Sequence, residues 1–589
     1  MIRKNCFSLG LPNDLNVFIL LTDEKDQENS VTNMNPTLTA PSTKLTPLSK
    51  ILLLFIFLVF FPAFLINLNV VPLIEDECIR ATVAMEMNIT GDYLTPTIGG
   101  ETYLKKPPLY NWILAGLFKL TGSQSEFIVR LPVTIAIVLF AITIFFFVKK
   151  ETNKSLALAT ALGFATCGRI IFYESQHGLI DMTYSLVVFL NFIFVYRMGK
   201  KKKFLWLFLG SYALTAFGFL FKGLPSLVFQ GFTLIAWFAY SKDLKRLVSY
   251  QHLLGIILFA IPVLGYYIAY FISNSDVTIE QMFGIMLGES TRRTGIRFGF
   301  LRTAGHLFTF PFEVIYHYLP WTLFVILLFS RGAIRKITGN HLLRYGLWIV
   351  GLNIIPYWSS PEVFARYYIM LMPFVFLTFF MLYLDEDPER LKMRKILDIL
   401  LMVLAVGVCF IPLAYLIMDR FSVIPYQKLK IIILFVVSAI LAALLIWRKD
   451  KLEKIFVIIL LLLVSRVGVN WFVLPVKAIE SDRTRFKEET IRAARLTGDT
   501  PVLRYWAPEI KATGYYGHRT GTYLTIYYMT REKQQIIPFS TDPPDENHLY
   551  LARYMDLDWL DIPYTRLDVV HYDKHYPPLN LVRFDIPAE

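Results

Sequence analysis

Long apolar runs alternate with short polar segments along most of this chain. The runs at 51–71, 133–148 and 431–447 contain almost no charged residues. Runs of about 20 apolar residues are typical of helices that cross a lipid bilayer. We therefore predict a polytopic α-helical membrane protein with about 13 transmembrane helices, at 49–71, 127–148, 155–173, 178–197, 203–221, 224–240, 251–273, 312–330, 342–358, 364–384, 396–418, 429–447 and 453–474.

The basic residues cluster in the short loops between these runs, as at Lys149-Lys150 and Arg448-Lys449. Lys and Arg are retained on the cytoplasmic side of membrane proteins. The alternation fits a cytoplasmic N-terminus and an external C-terminus. It also accounts for the net charge of +13, so we do not expect nucleic-acid binding.

This topology divides the chain into three parts. Residues 1–47 form a flexible cytoplasmic arm, with Met34 as an alternative start, and residues 48–475 form the transmembrane domain. That domain includes two long external loops, 75–126 and 274–311. Residues 476–589 combine an amphipathic helix with short β-rich runs, which predicts a small extracytoplasmic α/β domain. The predicted strands include 502–506, 522–529, 535–539, 549–554 and 567–572.

The composition is consistent with a polytopic membrane protein. Charged residues make up 18% of the chain, against about 25% in soluble proteins. The cysteines Cys6, Cys78, Cys167 and Cys409 lie far apart, without the spacing of a metal site or a disulfide framework.

The loop 75–126 holds the first candidate chemistry. It opens on Glu75-Asp76-Glu77 and continues through Glu86 to Lys105-Lys106-Pro107-Pro108. Carboxylates at a membrane edge are costly unless they are paired or used, and a lysine held by prolines is a natural phosphate partner. The alternative is a solvated connector, in which Asp76 ends a helix and Lys106 snorkels to the interface.

Three further candidates lie on the same predicted membrane face. Asp181 precedes a long apolar run, Lys222 interrupts one at Lys222-Gly223-Leu224-Pro225, and Arg366 opens another. Arg can bind phosphate through two hydrogen bonds. A helix cap for Asp181 and a tight turn at Lys222 are the structural alternatives.

Together these residues resemble a known family. The first external loop is similar to that of the type C glycosyltransferases, in the branch with lipid A aminoarabinose transferase and the protein O-mannosyltransferases. The similar positions are Asp76-Glu77, Ala81, Glu86-Met87, Gly91-Asp92-Tyr93, Pro96, Gly100, Tyr103, Lys106-Pro107-Pro108, Trp112, Gly122 and Arg130-Leu131-Pro132. Later positions similar to the family are Asp181-Met182, Lys222-Gly223-Leu224-Pro225, Arg366, Tyr368 and Pro373.

The resemblance implies a type C glycosyltransferase fold and an active site on the periplasmic face of the cytoplasmic (inner) membrane. It implies transfer of a sugar from undecaprenyl phosphate to an acceptor such as lipid A, another glycolipid or glycan, or a protein. In that scheme Asp76 deprotonates or orients the acceptor, and Glu77 and Asp181 assist it. The other implied roles are phosphate binding for Lys106, Arg366 and Lys222, and lining of the donor pocket for Tyr103, Tyr368 and Glu86.

Two departures limit the resemblance. Lys105 stands where the aminoarabinose-transferase pattern has an acid, so the sequence gives no sure cofactor and disfavours a divalent metal. Ile79-Arg80 replaces the Arg-Tyr pair that is usual after Asp-Glu. Membrane lipids are expected to surround the protein whether or not it binds a metal.

The alternative function is a lipid-linked sugar carrier or flippase without transferase activity. Such a transporter is expected to have paired broken helices at the middle of the membrane.

Overall fold

The computed structural model describes residues 45–275, 277–291, 300–506, 522–572 and 578–585. The arm predicted over 1–47 lies almost wholly outside these residues. The described chain is mainly helical, with a five-stranded sheet near its C-terminal end. The predicted polytopic α-helical fold with a C-terminal sheet region is therefore confirmed.

The first half of the described chain is built almost entirely from helices. They are α1 Pro47–Leu65, α2 Glu75–Thr90, α3 Leu109–Thr121, α4 Glu126–Glu151, α5 Lys154–Ala165, α6 Gly168–Phe172, α7 Ile180–Lys200, α8 Phe204–Lys222, α9 Pro225–Tyr240, α10 Tyr250–Ser273 and α11 Ile279–Thr291. A short antiparallel hairpin, β1 Thr97–Ile98 and β2 Glu101–Thr102, stands between α2 and α3.

The second half continues with helices before the sheet begins. They are α12 Phe300–His317, a 3-10 helix Trp321–Phe329, α13 Ala333–Gly339, α14 His341–Asn353, α15 Ile355–Trp358, a 3-10 helix Ala365–Leu371, α16 Met372–Leu384, α17 Leu391–Ile417, α18 Gln427–Trp447, α19 Lys451–Gly468, a π-helical turn Val469–Val473 and α20 Leu474–Glu480.

Among the described residues, 10 helical segments are long and apolar enough to cross a membrane. Three predicted spans are not among these ten segments. Residues 224–240 become α9, which has 16 residues, and residues 312–330 and 342–358 are each divided between two helices. Pro320 and Pro356 stand near these divisions, where a proline cannot donate the next helical hydrogen bond. The count of about 13 full spans is therefore not reproduced by length and composition.

The C-terminal region forms a mixed sheet flanked by helices. Its elements are α21 Asp482–Leu496, β3 Val502–Tyr505, α22 Thr522–Lys533, β4 Phe539–Ser540, β5 Leu549–Arg553, α23 Tyr554–Leu560, β6 Tyr564–Val570 and β7 Leu579–Phe584. The strand order is β4-β3-β5-β7-β6. β3 runs parallel to β4 and β5, and β7 runs antiparallel to β5 and β6.

Two predicted strands in this region are wrong. Of the strand predicted at 535–539, only Phe539 lies in a strand, β4. Residues 522–529 belong to the helix α22 rather than to the sheet. Their tyrosines and threonines favour strands, but Leu524, Tyr527 and Tyr528 recur at helical spacing and are fully buried. Because this face packs on α2, tertiary burial overrides the local preference.

A buried carboxylate joins the C-terminal region to the membrane helices. Glu126 begins α4, and its carboxylate lies 2.5 Å from Lys487 Nζ in α21 and 3.4 Å from an Arg531 nitrogen in α22. The Tyr528 hydroxyl donates to the same carboxylate at 3.2 Å. Since α22 also packs on α2, this contact couples the C-terminal region to the loop that carries Asp76.

We expect Glu126→Ala to loosen this contact, because it leaves two cations without their carboxylate. Breaking a buried ion pair costs on the order of 3 kcal/mol. Amide hydrogen exchange in α21 and α22 should become faster and the thermal midpoint should fall by several degrees. Glu480→Ala is the control, since Glu480 and Arg420 are 47% and 46% exposed. Equal exchange in the two variants would contradict the coupling.

Candidate functional site

Most of the predicted charged residues meet in one cavity. Its volume is about 380 Å³, and Asp76, Lys106, Asp181, Lys222 and Arg366 line it. They come from the first turn of α2, the segment before α3, the first turn of α7, the end of α8 and the 3-10 helix Ala365–Leu371. The fold thus collects side chains that are distant in sequence into a single charged site.

Asp181 is the centre of the charge network in this cavity. One carboxylate oxygen accepts a hydrogen bond from Lys222 Nζ, and the other lies 3.2 Å from Arg366 Nε. The Asp181 side chain is only 6% exposed. Because cations engage both of its oxygens, Asp181 holds Lys222 and Arg366 in place and has little room to accept a proton.

Asp76 is the open carboxylate of the cavity. Its side chain is 61% exposed, and one oxygen lies 3.4 Å from Arg366 Nη2. It stands in the first turn of α2, where the helix dipole favours a negative charge. Its accessibility and its position make it the predicted acid best suited to meet a substrate.

Lys106 differs from the other cations of the site. Among the described residues, its ammonium has no hydrogen bond or ion pair. Burial lowers the pKa of Lys106 to about 8, and the neighbouring cations Lys222 and Arg80 contribute to the lowering. Pro107 and Pro108 follow it directly and are buried, so the backbone that carries the lysine is fixed.

Glu77 does not line the cavity, although the sequence places it beside Asp76. It is fully buried, and its two oxygens lie 2.8 Å and 3.1 Å from Arg130 nitrogens. Burial alone raises the pKa of Glu77, but the Arg130 guanidinium and the Gly178 N–H hold it below the ordinary value. The Glu77 carboxylate, for which the sequence predicts a catalytic role, therefore accepts hydrogen bonds that hold the structure together.

The same carboxylate positions the segment that leads to Asp181. The Gly178 N–H donates to Glu77 Oε1 at 2.6 Å, and the Tyr110 hydroxyl donates to the Gly178 carbonyl at 3.1 Å. A Cβ at Gly178 would lie 2.6 Å from the Val129 carbonyl oxygen. The close approach of this backbone to α4 therefore requires glycine.

Glu86 and Tyr103 also lie outside the cavity lining. The Glu86 carboxylate accepts from the Thr97 hydroxyl at 2.7 Å and from the Gly99 N–H at 2.6 Å. It therefore stabilises the hairpin of β1 and β2 rather than a donor pocket. Tyr103 is buried, and its hydroxyl accepts a hydrogen bond from Arg80 Nη2.

The predicted Tyr368 is replaced at the cavity by its neighbour. Tyr368 is buried, with its ring 5.3 Å from that of Phe310 and 5.8 Å from that of Tyr318. Tyr367 lines the cavity instead, and its ring centroid lies 4.3 Å from Lys222 Nζ. The 3-10 geometry of this segment decides which of two adjacent tyrosines faces the site.

Several lining residues were not predicted from the sequence. Arg80, Glu289 and Glu362 line the cavity beside the predicted charges. Arg80 could have been found, since it follows Asp76 by four positions on a predicted helix and such residues share a face. Glu289 and Glu362 belong to segments without a distinguishing pattern, and only the fold brings them to the site.

The carboxylates of the cavity are dispersed rather than clustered. Asp181 is engaged by two cations, and Glu362 pairs with Arg302 at 3.0 Å. Within the described ranges, no group of three His, Cys, Asp or Glu side chains is placed to hold a metal ion. The distinguishing features of the site are therefore its cations and the open carboxylate of Asp76.

Known proteins share this fold and part of this sequence. Residues 105–266 match the family model described as Dolichyl-phosphate-mannose-protein mannosyltransferase. The fold is similar to ArnT from Cupriavidus metallidurans bound to undecaprenyl phosphate, with 16% sequence identity, a TM-score of 0.63, and coverage of 91% of this chain and 98% of that chain. ArnT from the same organism in the apo state gives 15% identity and a TM-score of 0.64 at the same coverage. No curated protein sequence matches. The resemblance to the type C glycosyltransferases is confirmed.

We expect Glu77→Gln to destabilise the protein far more than Asp76→Asn. The first variant leaves the buried Arg130 without a charged partner, which costs on the order of 3 to 5 kcal/mol. The second changes a side chain that is 61% exposed. Thermal unfolding in detergent would show a markedly lower midpoint for Glu77→Gln alone, and equal midpoints would contradict the structural role of Glu77.

The pH dependence of this difference provides a second measurement. The folded-state pKa of Glu77 is held below its ordinary value. The ion pair therefore contributes its full stability above the unfolded pKa of about 4.3. It loses that contribution as the pH falls further, so the gap between wild type and Glu77→Gln should narrow in acid.

Proposed function

We propose that this protein is a membrane glycosyltransferase that moves a sugar from a polyprenyl phosphate donor, with undecaprenyl phosphate as its lipid, to an extracytoplasmic acceptor. The observation that carries the proposal is the presence, in one cavity, of the open carboxylate Asp76 and of Lys106, which has no ion pair among the described residues. A base for the acceptor and a cation for the leaving phosphate are the two groups that this reaction needs.

The comparisons support the choice of donor. ArnT from Cupriavidus metallidurans binds undecaprenyl phosphate, and the matched family model is described by a dolichyl phosphate mannose donor. Undecaprenyl phosphate and dolichyl phosphate are both long lipids that carry a sugar on a phosphate group. A cavity that combines cations with membrane helices suits a ligand of this kind.

In the proposed reaction, the acceptor hydroxyl loses its proton to the Asp76 carboxylate as its oxygen attacks the anomeric carbon of the sugar. The bond between that carbon and the phosphate oxygen breaks, and its electron pair stays on the oxygen. The donor phosphodiester, with one negative charge, thus becomes a phosphate monoester with two. Lys106 would stabilise the charge that develops on the leaving oxygen.

The ion pair between Arg366 and Asp76 couples the two halves of this reaction. Arg366 Nη2 lies 3.4 Å from Asp76 while Asp76 is charged. When Asp76 takes the acceptor proton, the attraction between these two groups falls. Arg366 is then available to the phosphate, whose charge is rising at the same moment. Its second contact, with Asp181 at 3.2 Å, keeps the guanidinium at the cavity.

Lys222 and Asp181 complete the proposed site as positioning residues. Asp181 binds both Lys222 and Arg366, so it fixes the separation of the two cations. Lys222 can assist phosphate binding from this position, and Tyr367 covers its ammonium at 4.3 Å. If the acceptor is itself a phosphate group, it needs no base, and Asp76 would orient the sugar.

We further propose that the protein lies in the cytoplasmic (inner) membrane with this cavity on the periplasmic side. The support is the distribution of Lys and Arg in the loops between the apolar runs. Lipid A, another glycolipid or glycan, or a protein could reach the cavity as acceptor from that side.

Asp76→Asn should abolish sugar transfer and retain donor binding, because it removes the base without removing a phosphate ligand. The measurement is transfer from undecaprenyl-phosphate-linked sugars to extracted outer-surface acceptors, together with binding of undecaprenyl phosphate. Normal transfer by this variant would exclude Asp76 as the base. Donor binding without transfer by the wild-type protein would favour the lipid-linked sugar carrier.

The donor kcat/KM should fall as the pH rises through about 8, the pKa to which burial lowers Lys106. Below this pH the ammonium is charged and binds phosphate, and above it the charge is lost. A phosphodiester does not titrate in this range, so the change belongs to the enzyme. Lys106→Arg should move the fall to higher pH, since Arg stays protonated. Lys105→Ala is the control and should leave the profile unchanged.

A further inference from the structure

Arg80 is the lining residue that distinguishes this chain from the resembling family. It occupies the second position of the Ile79-Arg80 pair that replaces Arg-Tyr after Asp76-Glu77. It follows Asp76 by one turn of α2 and lines the same cavity. The side chain is 7% exposed, so this guanidinium lies inside the site and not at its rim.

The hydrogen bonding of Arg80 is incomplete. Nη2 donates to the Tyr103 hydroxyl, and the guanidinium carbon lies 4.9 Å from the centroid of the Tyr103 ring. Nη1 is buried and has no hydrogen-bond partner among the described residues. A buried charged donor without an acceptor is unfavourable, and an anionic ligand would supply the acceptor.

The charges of the cavity show which cations are available to such a ligand. Lys222 and Arg366 are neutralised by Asp181 and Asp76. Within the described part of the chain, no ion pair joins Arg80 or Lys106 to a carboxylate, and Glu289, which also lines the cavity, favours the charged form of Lys106 through space. These two unpaired cations both line the cavity, and Tyr103, which binds Arg80, lies three positions before Lys106 in the segment that leads to α3.

We propose that Arg80 and Lys106 together bind the phosphate group of the polyprenyl phosphate, with Arg80 as a ligand of the leaving phosphate that the family pattern does not contain. This inference rests on the proposed function for the identity of the ligand. It is independent of which sugar is transferred and of which acceptor receives it.

The stoichiometry of charge fits this assignment. The phosphate changes from one negative charge in the donor diester to about two in the monoester product. One cation balances the ground state, and a second stabilises the charge that appears as the bond to the sugar breaks. The planar guanidinium of Arg80 can give two parallel hydrogen bonds to phosphate oxygens, whereas Lys106 contributes a compact point charge.

The hydrogen bond between Arg80 and Tyr103 gives Tyr103 a role in the proposed phosphate site. Its hydroxyl accepts from one nitrogen of Arg80 and thereby fixes the plane of the guanidinium. A conformationally restrained arginine loses less entropy when it binds phosphate. Tyr103 is therefore a positioning residue for the phosphate site and has no direct contact with the donor in this arrangement.

The test is the affinity of the full-length protein in detergent for undecaprenyl phosphate and for undecaprenol, which lacks the phosphate. We expect Arg80→Gln to weaken binding of undecaprenyl phosphate about tenfold or more and to leave undecaprenol binding unchanged. Arg80→Lys should restore part of the affinity. Lys119→Gln, which removes an exposed lysine of α3 that does not line the cavity, is the matched control and should bind both lipids normally.

Further variants test whether Arg80 and Lys106 bind the same ligand and whether a loss of binding comes from misfolding. The effects of Arg80→Gln and Lys106→Gln should be non-additive in the double variant, since both residues contact one ligand. Tyr103→Phe should weaken phosphate-dependent binding by a smaller factor than Arg80→Gln. Thermal midpoints and undecaprenol binding of each variant report whether the fold is intact.

Normal affinity of Arg80→Gln for undecaprenyl phosphate would overturn the inference, even if the wild-type protein transfers sugar. Equal weakening by Arg80→Gln and Lys119→Gln would also overturn it, because that result indicates general surface charge. If the wild-type protein binds the lipid through Arg80 but transfers no sugar, the phosphate site stands and the proposed function fails. No binding by the wild-type protein would overturn both.

Discussion

The buried ion pair between Glu77 and Arg130 is the interaction on which the geometry of the cavity depends. Arg130 donates to the carbonyls of Leu68, Val71 and Pro72 at 2.7, 2.9 and 3.2 Å, so it ties the end of the first membrane segment to α4. Glu77 adds the start of α2 and the backbone before α7. One pair of side chains thus fixes both segments that carry the cavity carboxylates Asp76 and Asp181. Transferring these charges from water is costly, and only the full set of hydrogen bonds offsets that cost.

The charged residues of the cavity fall into two groups that differ in whether they form ion pairs. Asp181, Lys222 and Arg366 form a network of ion pairs in which Asp181 contacts both cations, and Arg366 Nε has no hydrogen-bond partner among the described residues. Arg80 on α2 and Lys106 in the segment before α3 form no ion pair with any residue that the structure describes. A preorganised site of this kind stabilises charge that appears during a reaction without having to rearrange at that moment.

Apolar runs and charge interruptions were sufficient to predict the helical fold and five charged residues of the cavity. Asp76, Lys106 and Asp181, for example, stand where polar residues break hydrophobic segments. Neighbouring residues could not be told apart. Asp76 and Glu77 are adjacent acids, yet one is open and the other is buried against Arg130, a partner 53 positions away in sequence. Such distinctions depend on long-range packing. The helix at 522–533 follows the same rule, because contacts with α2 decide its conformation.

The outer boundary of the cavity has a different physical character from its inner wall. Glu362 and Arg302 form an ion pair across this boundary, and their side chains are 43% and 56% exposed. Exposed pairs of this kind contribute about 1 kcal/mol or less. Substitutions there carry little risk for folding, whereas the backbone at Gly178 tolerates none. The outer boundary can therefore vary in sequence while the charged side chains of the cavity stay where they are. The tolerance of this site to substitution is therefore located in its weakest contacts.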